Sequence, residues 1–154
     1  LRRLNGASAS EHYYPFPSVK LSLSAENTLI IDAPLVCDET LQTNDIARIY
    51  PDGSFMILGR KDNVINSGGI KLIPEKIEEK LSTHIPRRYF VHGQADEVLG
   101  EKVVLYVEGE PIAIDEEVFS VLDKYEKPKN IVFIPKFTVT ATGKIVRKES
   151  IDSL

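Results

Sequence analysis

The sequence predicts an α+β protein in two parts, β-rich up to about Leu58 and mixed thereafter. Three observations predict it. Apolar and polar residues alternate with a period of two in the first third, and a helical period first appears at Pro74. Beyond Lys61 the order reads strand, strand, helix, strand, strand, helix, strand and a tail. With 154 residues, 42% apolar and 27% charged, the chain can bury a core and is too short for a complete multidomain enzyme.

The small polar run from Asn5 to Ser10 and the stiff Tyr13-Tyr14-Pro15-Phe16-Pro17 read as a connector, which puts the first element after Pro17. Val19, Leu21 and Leu23 alternate with Lys20, Ser22 and Ser24 as in a half-buried strand, and Ala25-Glu26-Asn27 turns into Thr28-Leu29-Ile30-Ile31. A second hairpin joins residues 46–50 to 54–58 through Pro51-Asp52-Gly53, where proline fixes φ and glycine frees it. After Gly59-Arg60-Lys61-Asp62, short strands around Val64-Ile65 and Ile70 to Leu72 flank Ser67-Gly68-Gly69. Pro74 then opens a helix with Ile77, Leu81 and Ile85 at i, i+4 and i+8, and with Glu75 and Glu78 at its positive end. Residues 89–91 and 102–107 read as strands. Asp115 caps a helix carrying Val118, Val121, Leu122 and Tyr125 on one face, and a strand over 131–134 and a helical turn over 147–151 follow.

Composition excludes several classes of function. Nineteen Lys and Arg against 23 Asp and Glu give a net charge of −4, which offers no general attraction for nucleic acid or an anionic membrane. The single cysteine, Cys37, forms no internal disulfide, and Asn-x-Ser/Thr is absent, so a reducing cytoplasmic setting is expected. No apolar run approaches a membrane span and the start shows no signal core, so the chain is expected to be neither anchored nor exported. The only methionine is Met56, and the chain therefore reads as a piece of a longer protein.

Metal and nucleophile templates find no match. His12, His84 and His92 are scattered without Cys or carboxylate at ligand spacing, so no metal site is expected. Gly143-Lys144 lacks the upstream glycine and the following Ser or Thr of a phosphate loop, with Thr138 and Ile145 in those places. Three polar clusters remain. In Thr43-Asn44-Asp45 the carboxylate can accept two hydrogen bonds from a ribose diol or simply end a turn before a strand. Ser67-Gly68-Gly69 lets backbone approach a ligand, a feature that a tight hairpin needs equally. In Thr140-Ala141-Thr142-Gly143-Lys144-Ile145-Val146-Arg147 a lysine in a small-residue loop can swing an ammonium onto a phosphate or carboxylate, or be a solvated surface lysine.

In this order the clusters resemble the closing motifs of the adenylate-forming superfamily of acyl-CoA synthetases, luciferases and peptide-synthetase adenylation domains. Thr43-Asn44-Asp45-Ile46-Ala47 with Asp52-Gly53 is similar to its Thr-Gly-Asp segment, and Gly59-Arg60-Lys61-Asp62-Asn63-Val64-Ile65 to its hinge motif. Ser67-Gly68-Gly69-Ile70-Lys71 through Pro74-Glu75-Lys76-Ile77-Glu78 resembles the run behind the hinge, and Thr140 to Arg147 the terminal Thr-x-x-Gly-Lys-x-x-Arg. Two positions depart from the pattern: Asn44 stands for the usual glycine and Thr138 where proline is frequent. The resemblance runs from about Pro17 to the end, and the compact segment between Pro34 and Thr43 is similar to o-succinylbenzoate-CoA ligases of menaquinone synthesis.

The resemblance implies that residues 1–60 finish a large N-terminal domain whose phosphate-binding loop and acyl pocket lie upstream. Residues 61–154 are then a small mobile lid, a three-stranded sheet with flanking helices and a short β-hairpin. It implies ATP, Mg²⁺ and coenzyme A as cofactors and a carboxylic acid as substrate. Asp45 and Arg60 would hold the nucleotide, Lys144 would act catalytically, Asp62 would be the hinge, and Ser67, Gly68, Gly69 and Lys71 would line a pantetheine tunnel. Arg147 is a further candidate for coenzyme phosphates. By itself the chain would bind ATP poorly and turn over nothing. Two alternatives stay open: an adenylation enzyme that loads a carrier-protein thiol, and a non-catalytic binding module on the same scaffold.

Overall fold

The computed structural model describes residues 12–154; the connector expected from Asn5 to Ser10 lies outside them. The protein is a mixed α/β chain with two sheets and few helices, and it divides into two compact units, Leu1–Asp62 and Asn63–Leu154.

The first unit carries an antiparallel meander of β1 (Lys20–Leu23), β2 (Thr28–Asp32), β3 (Leu41–Ile49) and β4 (Phe55–Arg60). Its first turn is closed by the Ser24 hydroxyl, which accepts from the Thr28 amide at 3.1 Å, and Asn27 takes φ +61°, a conformation that asparagine tolerates. The β3–β4 turn uses Gly53 at φ +79°. Order begins earlier than the prolines suggest: Tyr13 exchanges both backbone hydrogen bonds with Phe55, at 2.7 and 2.8 Å, and His12 stacks on Tyr50. Prolines 15 and 17 lie beyond that bridge, so they do not interrupt it. β3 also starts at Leu41, so Asp45 lies inside a strand and not before one.

The second unit is built on β8 (Gly100–Glu108). β7 (Tyr89–Asp96) pairs antiparallel along one edge, and β9 (Asn130–Ile134) runs parallel to the Val104–Glu108 half of the other. The hairpin of β5 (Ile65–Ser67) and β6 (Ile70–Leu72) joins the remaining half of that edge through Ser67 and Gly100. Residues 103–107 of β8 are all buried, because both faces of the sheet are covered. Val103, Leu105 and Val107 face α1 (Pro74–Leu81) with Ile77 and Leu81, whereas Val104 and Tyr106 face Phe90, Ile134 and Phe137. Each such side chain contributes roughly 1.5 to 3 kcal/mol by leaving water.

Pro74 opens α1 as expected, but the helix ends at Leu81, and Ile85 reaches the core from the following turn. The helix expected after Asp115 is corrected to a short 3-10 segment, Glu116–Val121. Asp115 does cap it, accepting from the Glu117 amide at 3.0 Å. With three residues per turn, positions three apart eclipse, so Phe119 and Leu122 enter the core while Val121 and Tyr125 stay exposed. The chain closes with α2 (Arg147–Asp152). No helix among the described residues is long and apolar enough to cross a membrane.

Candidate active site

Asp45 and Arg60 meet because β3 and β4 are out of simple register. From Ile49 to Ala47 the pairing is regular, but Ile46 pairs with Gly59, which leaves Leu58 as an extra residue. The bulge moves Arg60 directly across from Asp45, and its guanidinium lies 3.4 Å from the Asp45 carboxylate and 2.7 Å from Asp62. The Asn44 amide donates to the same Asp62 oxygen at 3.4 Å. Thr43 fixes the strand underneath: its hydroxyl donates to the Leu29 carbonyl at 3.0 Å and accepts from the Asp45 amide at 3.1 Å. The three charged side chains are one third to one half exposed, so the pairs add little stability and stay open to exchange for a polar ligand. Asp62 itself lies in a 3-10 turn, Lys61–Asn63.

In the second unit, Gly68 and Gly69 form the two-residue loop between β5 and β6, at φ +58° and +82°. Positive φ at both central positions is the turn that matches strand twist, so the hairpin alone accounts for both glycines. Gly68 is further held by its amide, which donates to the Leu99 carbonyl at 2.8 Å. A Cβ at Gly69 would meet open space. Ser67 is buried under this turn, and Lys71 is exposed on β6 opposite Asn66.

Lys144 is exposed at the tip of a second tight loop, and its ammonium has no ion-pair partner among the described residues. The Thr140 amide donates to the Lys144 carbonyl at 2.8 Å, the Lys144 amide donates to the Thr140 hydroxyl at 3.1 Å, and Gly143 takes φ +80°. Below the tip, Val139 bridges Ile145, and Ser150, fully buried, accepts from the Thr138 amide at 2.9 Å. The base of the loop is thus tied to the core, and the lysine side chain extends from its exposed end.

The two loops occupy opposite ends of β8. The glycine hairpin pairs at Gly100, whereas Arg88, which reaches the Gly143 carbonyl at 3.4 Å, sits beside Glu108. Eight strand steps of about 3.4 Å separate those ends by roughly 27 Å.

Sequence reasoning missed a cluster behind the lysine loop. Arg147, 16% exposed, lies 3.0 Å from Glu78 and 3.4 Å from Glu75, and donates to the Val91 carbonyl at 3.3 Å. Its guanidinium is thus engaged by two carboxylates and a backbone carbonyl within this unit. Glu78 also accepts from the Val91 amide at 2.7 Å, so the two acids are more than helix-dipole residues. Burial pushes the Glu78 carboxyl up from its ordinary value, and Arg147 opposes that shift. Burial, with a smaller push from Glu78, raises the Tyr89 hydroxyl to about 12.

Next to this cluster, burial holds the His92 imidazole below its ordinary value of 6.5, aided by Arg147 and opposed by Glu101. The folded chain therefore resists a proton that the unfolded chain accepts. Stability is intact above the ordinary value and falls as the pH drops toward the depressed one. Urea melts at successive pH values from about 7.5 to 5.5 should show this loss, and His92→Gln should flatten it. Parallel slopes for both proteins would contradict the assignment.

Among the described residues no three His, Cys, Asp or Glu side chains gather as a metal site. The Mg²⁺ that the motifs imply therefore has no three-ligand set among the described residues, and its usual partners are substrate phosphates, water and one or two carboxylates.

No protein-family model matches the chain. Among curated proteins it is 28% identical over 147 residues to a mitochondrial acyl-coenzyme A synthetase of Homo sapiens, covering 88% of this chain and 26% of that protein. It is 30% identical over 119 residues to 2-succinylbenzoate–CoA ligase of Bacillus cytotoxicus, covering 74% and 25%. Among solved structures it is similar to an acyl-CoA synthetase (AMP-forming)/AMP-acid ligase II-like protein of Dyadobacter fermentans, with TM-score 0.59 and 31% identity over 99% of this chain and 46% of that one. The chain thus spans about a quarter of the length of these curated relatives. On its motifs, its fold and these relatives, it belongs to the AMP-forming acyl-CoA synthetases of the adenylate-forming superfamily.

Proposed function

We propose that this chain is the closing part of an ATP-dependent acid–CoA ligase, in which residues 1–60 finish the large domain and 61–154 form a lid that turns about Asp62. The observation that carries the proposal is the separation of the two exposed loops of the second unit by the length of β8. One unit that offers an ammonium at one end and a glycine turn at the other suits two successive steps at a single centre, with a rotation between them.

In the first step a carboxylate oxygen attacks the α-phosphorus of ATP, the bond to the bridging oxygen breaks, and pyrophosphate leaves. Two anions approach each other, so a cation brought to both is the largest gain available. Lys144 supplies it. Its ammonium is a compact charge on a flexible stem above a fixed loop base. Asp45 accepts from the ribose hydroxyls, and Arg60, already paired to it, holds it in place. In the second step the thiol of coenzyme A loses its proton and its sulfur attacks the acyl carbon, and AMP departs. Lys144 has to be withdrawn first. The Ser67–Lys71 turn, open beside Gly69, then borders the arm that carries the thiol. Mg²⁺ would enter with the nucleotide phosphates, held from outside these residues.

Within the family we propose o-succinylbenzoate as the acid, in a cytoplasmic enzyme. The support is the likeness to 2-succinylbenzoate–CoA ligase and the short 34–43 segment. The test is the full-length enzyme with ATP, a panel of acids that includes o-succinylbenzoate, and either free coenzyme A or a carrier-protein thiol. Acid-dependent release of AMP and pyrophosphate with formation of the CoA thioester is expected. Product formation only on the carrier would move the acceptor, and the absence of acid-dependent pyrophosphate release would overturn the ligase reading.

A further inference from the structure

We propose that Arg147 is a positioning residue for Lys144, tying the lysine loop to the residue just after the hinge. This rests on the reading of Lys144 given above. The path can be followed atom by atom within the second unit. The Asn63 side-chain amide donates to Glu75 Oε1 at 2.5 Å, and that same oxygen lies 3.4 Å from Arg147 Nη2. The same nitrogen pairs with Glu78, and Glu78 and Arg147 together hold both polar groups of the Val91 peptide in β7. Arg147 is also the first residue of α2 and stands three positions after Lys144. One guanidinium therefore joins the start of α1, the middle of β7 and the end of the lysine loop to a residue next to Asp62.

The cluster is an odd choice for stability alone. It partly buries two carboxylates against one guanidinium, and Glu75 Oε2 is buried without a hydrogen-bond partner among the described residues. Buried ion pairs are often no more stabilising than apolar replacements, and their best-attested use is to fix a geometry. A lysine that must reach a small target needs that. Displacements near 1 Å at a reacting centre cost about 100-fold in rate. The planar fork of arginine, engaged by three elements, holds the loop base against such drift.

The test uses the full-length enzyme with Lys144→Ala, Arg147→Met and the two combined, each assayed for acid-dependent pyrophosphate release and for thioester formation from supplied acyl-adenylate. Arg147→Met should slow the first step by about tenfold or more and leave the second within about twofold. Added to Lys144→Ala, it should cause no further loss beyond about twofold, since a residue that acts through the lysine has nothing left to position. Arg147→Met leaves two partly buried carboxylates unopposed, so Glu78→Gln with Arg147→Met is assayed alongside it. If either variant folds and adenylates at the parental rate, or if its loss multiplies with that of Lys144→Ala, the proposal fails. Lys144→Ala sparing adenylation would instead remove the underlying reading of the lysine.

Discussion

Lys144→Ala in the full-length enzyme is expected to slow acyl-adenylate formation by about 100- to 1,000-fold, the usual cost of losing one preorganised electrostatic contact to a transition state. Thiol transfer from supplied acyl-adenylate should proceed close to the parental rate. The asymmetry follows from the geometry. The side chain is exposed and makes no ion pair among the described residues, so its removal disturbs no packing and the melting temperature should not move. What is lost is a charge delivered between the carboxylate and the α-phosphate. Lys144→Arg should recover little, because a broad planar fork does not sit where a compact ammonium sits. Pyrophosphate release and thioester formation, followed separately, check the prediction. Equal loss in both steps would mean that Lys144 binds substrate without assisting the first reaction.

The parts of this protein that the sequence displayed are those with local causes. The period-2 run from Val19 to Leu23, the Pro51-Asp52-Gly53 turn and Pro74 at the head of α1 each act within a few residues, and the structure has them where the pattern indicates. The central strand was also legible, because residues 102–107 contain a short, nearly unbroken apolar run rich in β-branched valine, as strands covered on both faces do.

Features that depend on distant partners were not legible. Nothing in Ile46-Ala47 announces the bulge, which arises from pairing with β4 and decides that Arg60 faces Asp45. The segment after Asp115 has apolar residues compatible with an α-helical face, but contact with the core selects Phe119 and Leu122, three apart, and with them a 3-10 turn. The Arg147 cluster spans 69 residues between its main partners, Glu78 and Arg147, and no local pattern reports such a pair. At the candidate site, the sequence marked which side chains could matter. The structure adds the surroundings of each: a bulge under one group, a fixed loop base under another, and a turn that accounts for the glycines in the third.

That last point governs what Gly69→Leu should do. The substitution in the full-length enzyme is expected to cut thioester formation by about 100-fold or more while pyrophosphate release stays near the parental rate, if the space beside this turn is where the thiol-bearing arm passes. Two effects have to be separated. Gly69 takes φ +82°, and any L side chain there costs roughly 1 to 2 kcal/mol of backbone strain, whatever the room available. A Cβ at this position meets nothing within 4 Å, so the protein itself raises no steric objection. Gly69→Ala carries the same strain as Gly69→Leu without its bulk, and Gly69→Asn carries bulk with a residue that tolerates positive φ. If the arm passes beside this turn, alanine should be mild, asparagine intermediate and leucine severe, in the thioester step alone. If strain alone matters, alanine and leucine should match and asparagine should be the mildest, with melting temperatures following the same order. An equal loss of pyrophosphate release and thioester formation in Gly69→Leu would place the turn away from the thiol, and the glycines would then serve only the hairpin.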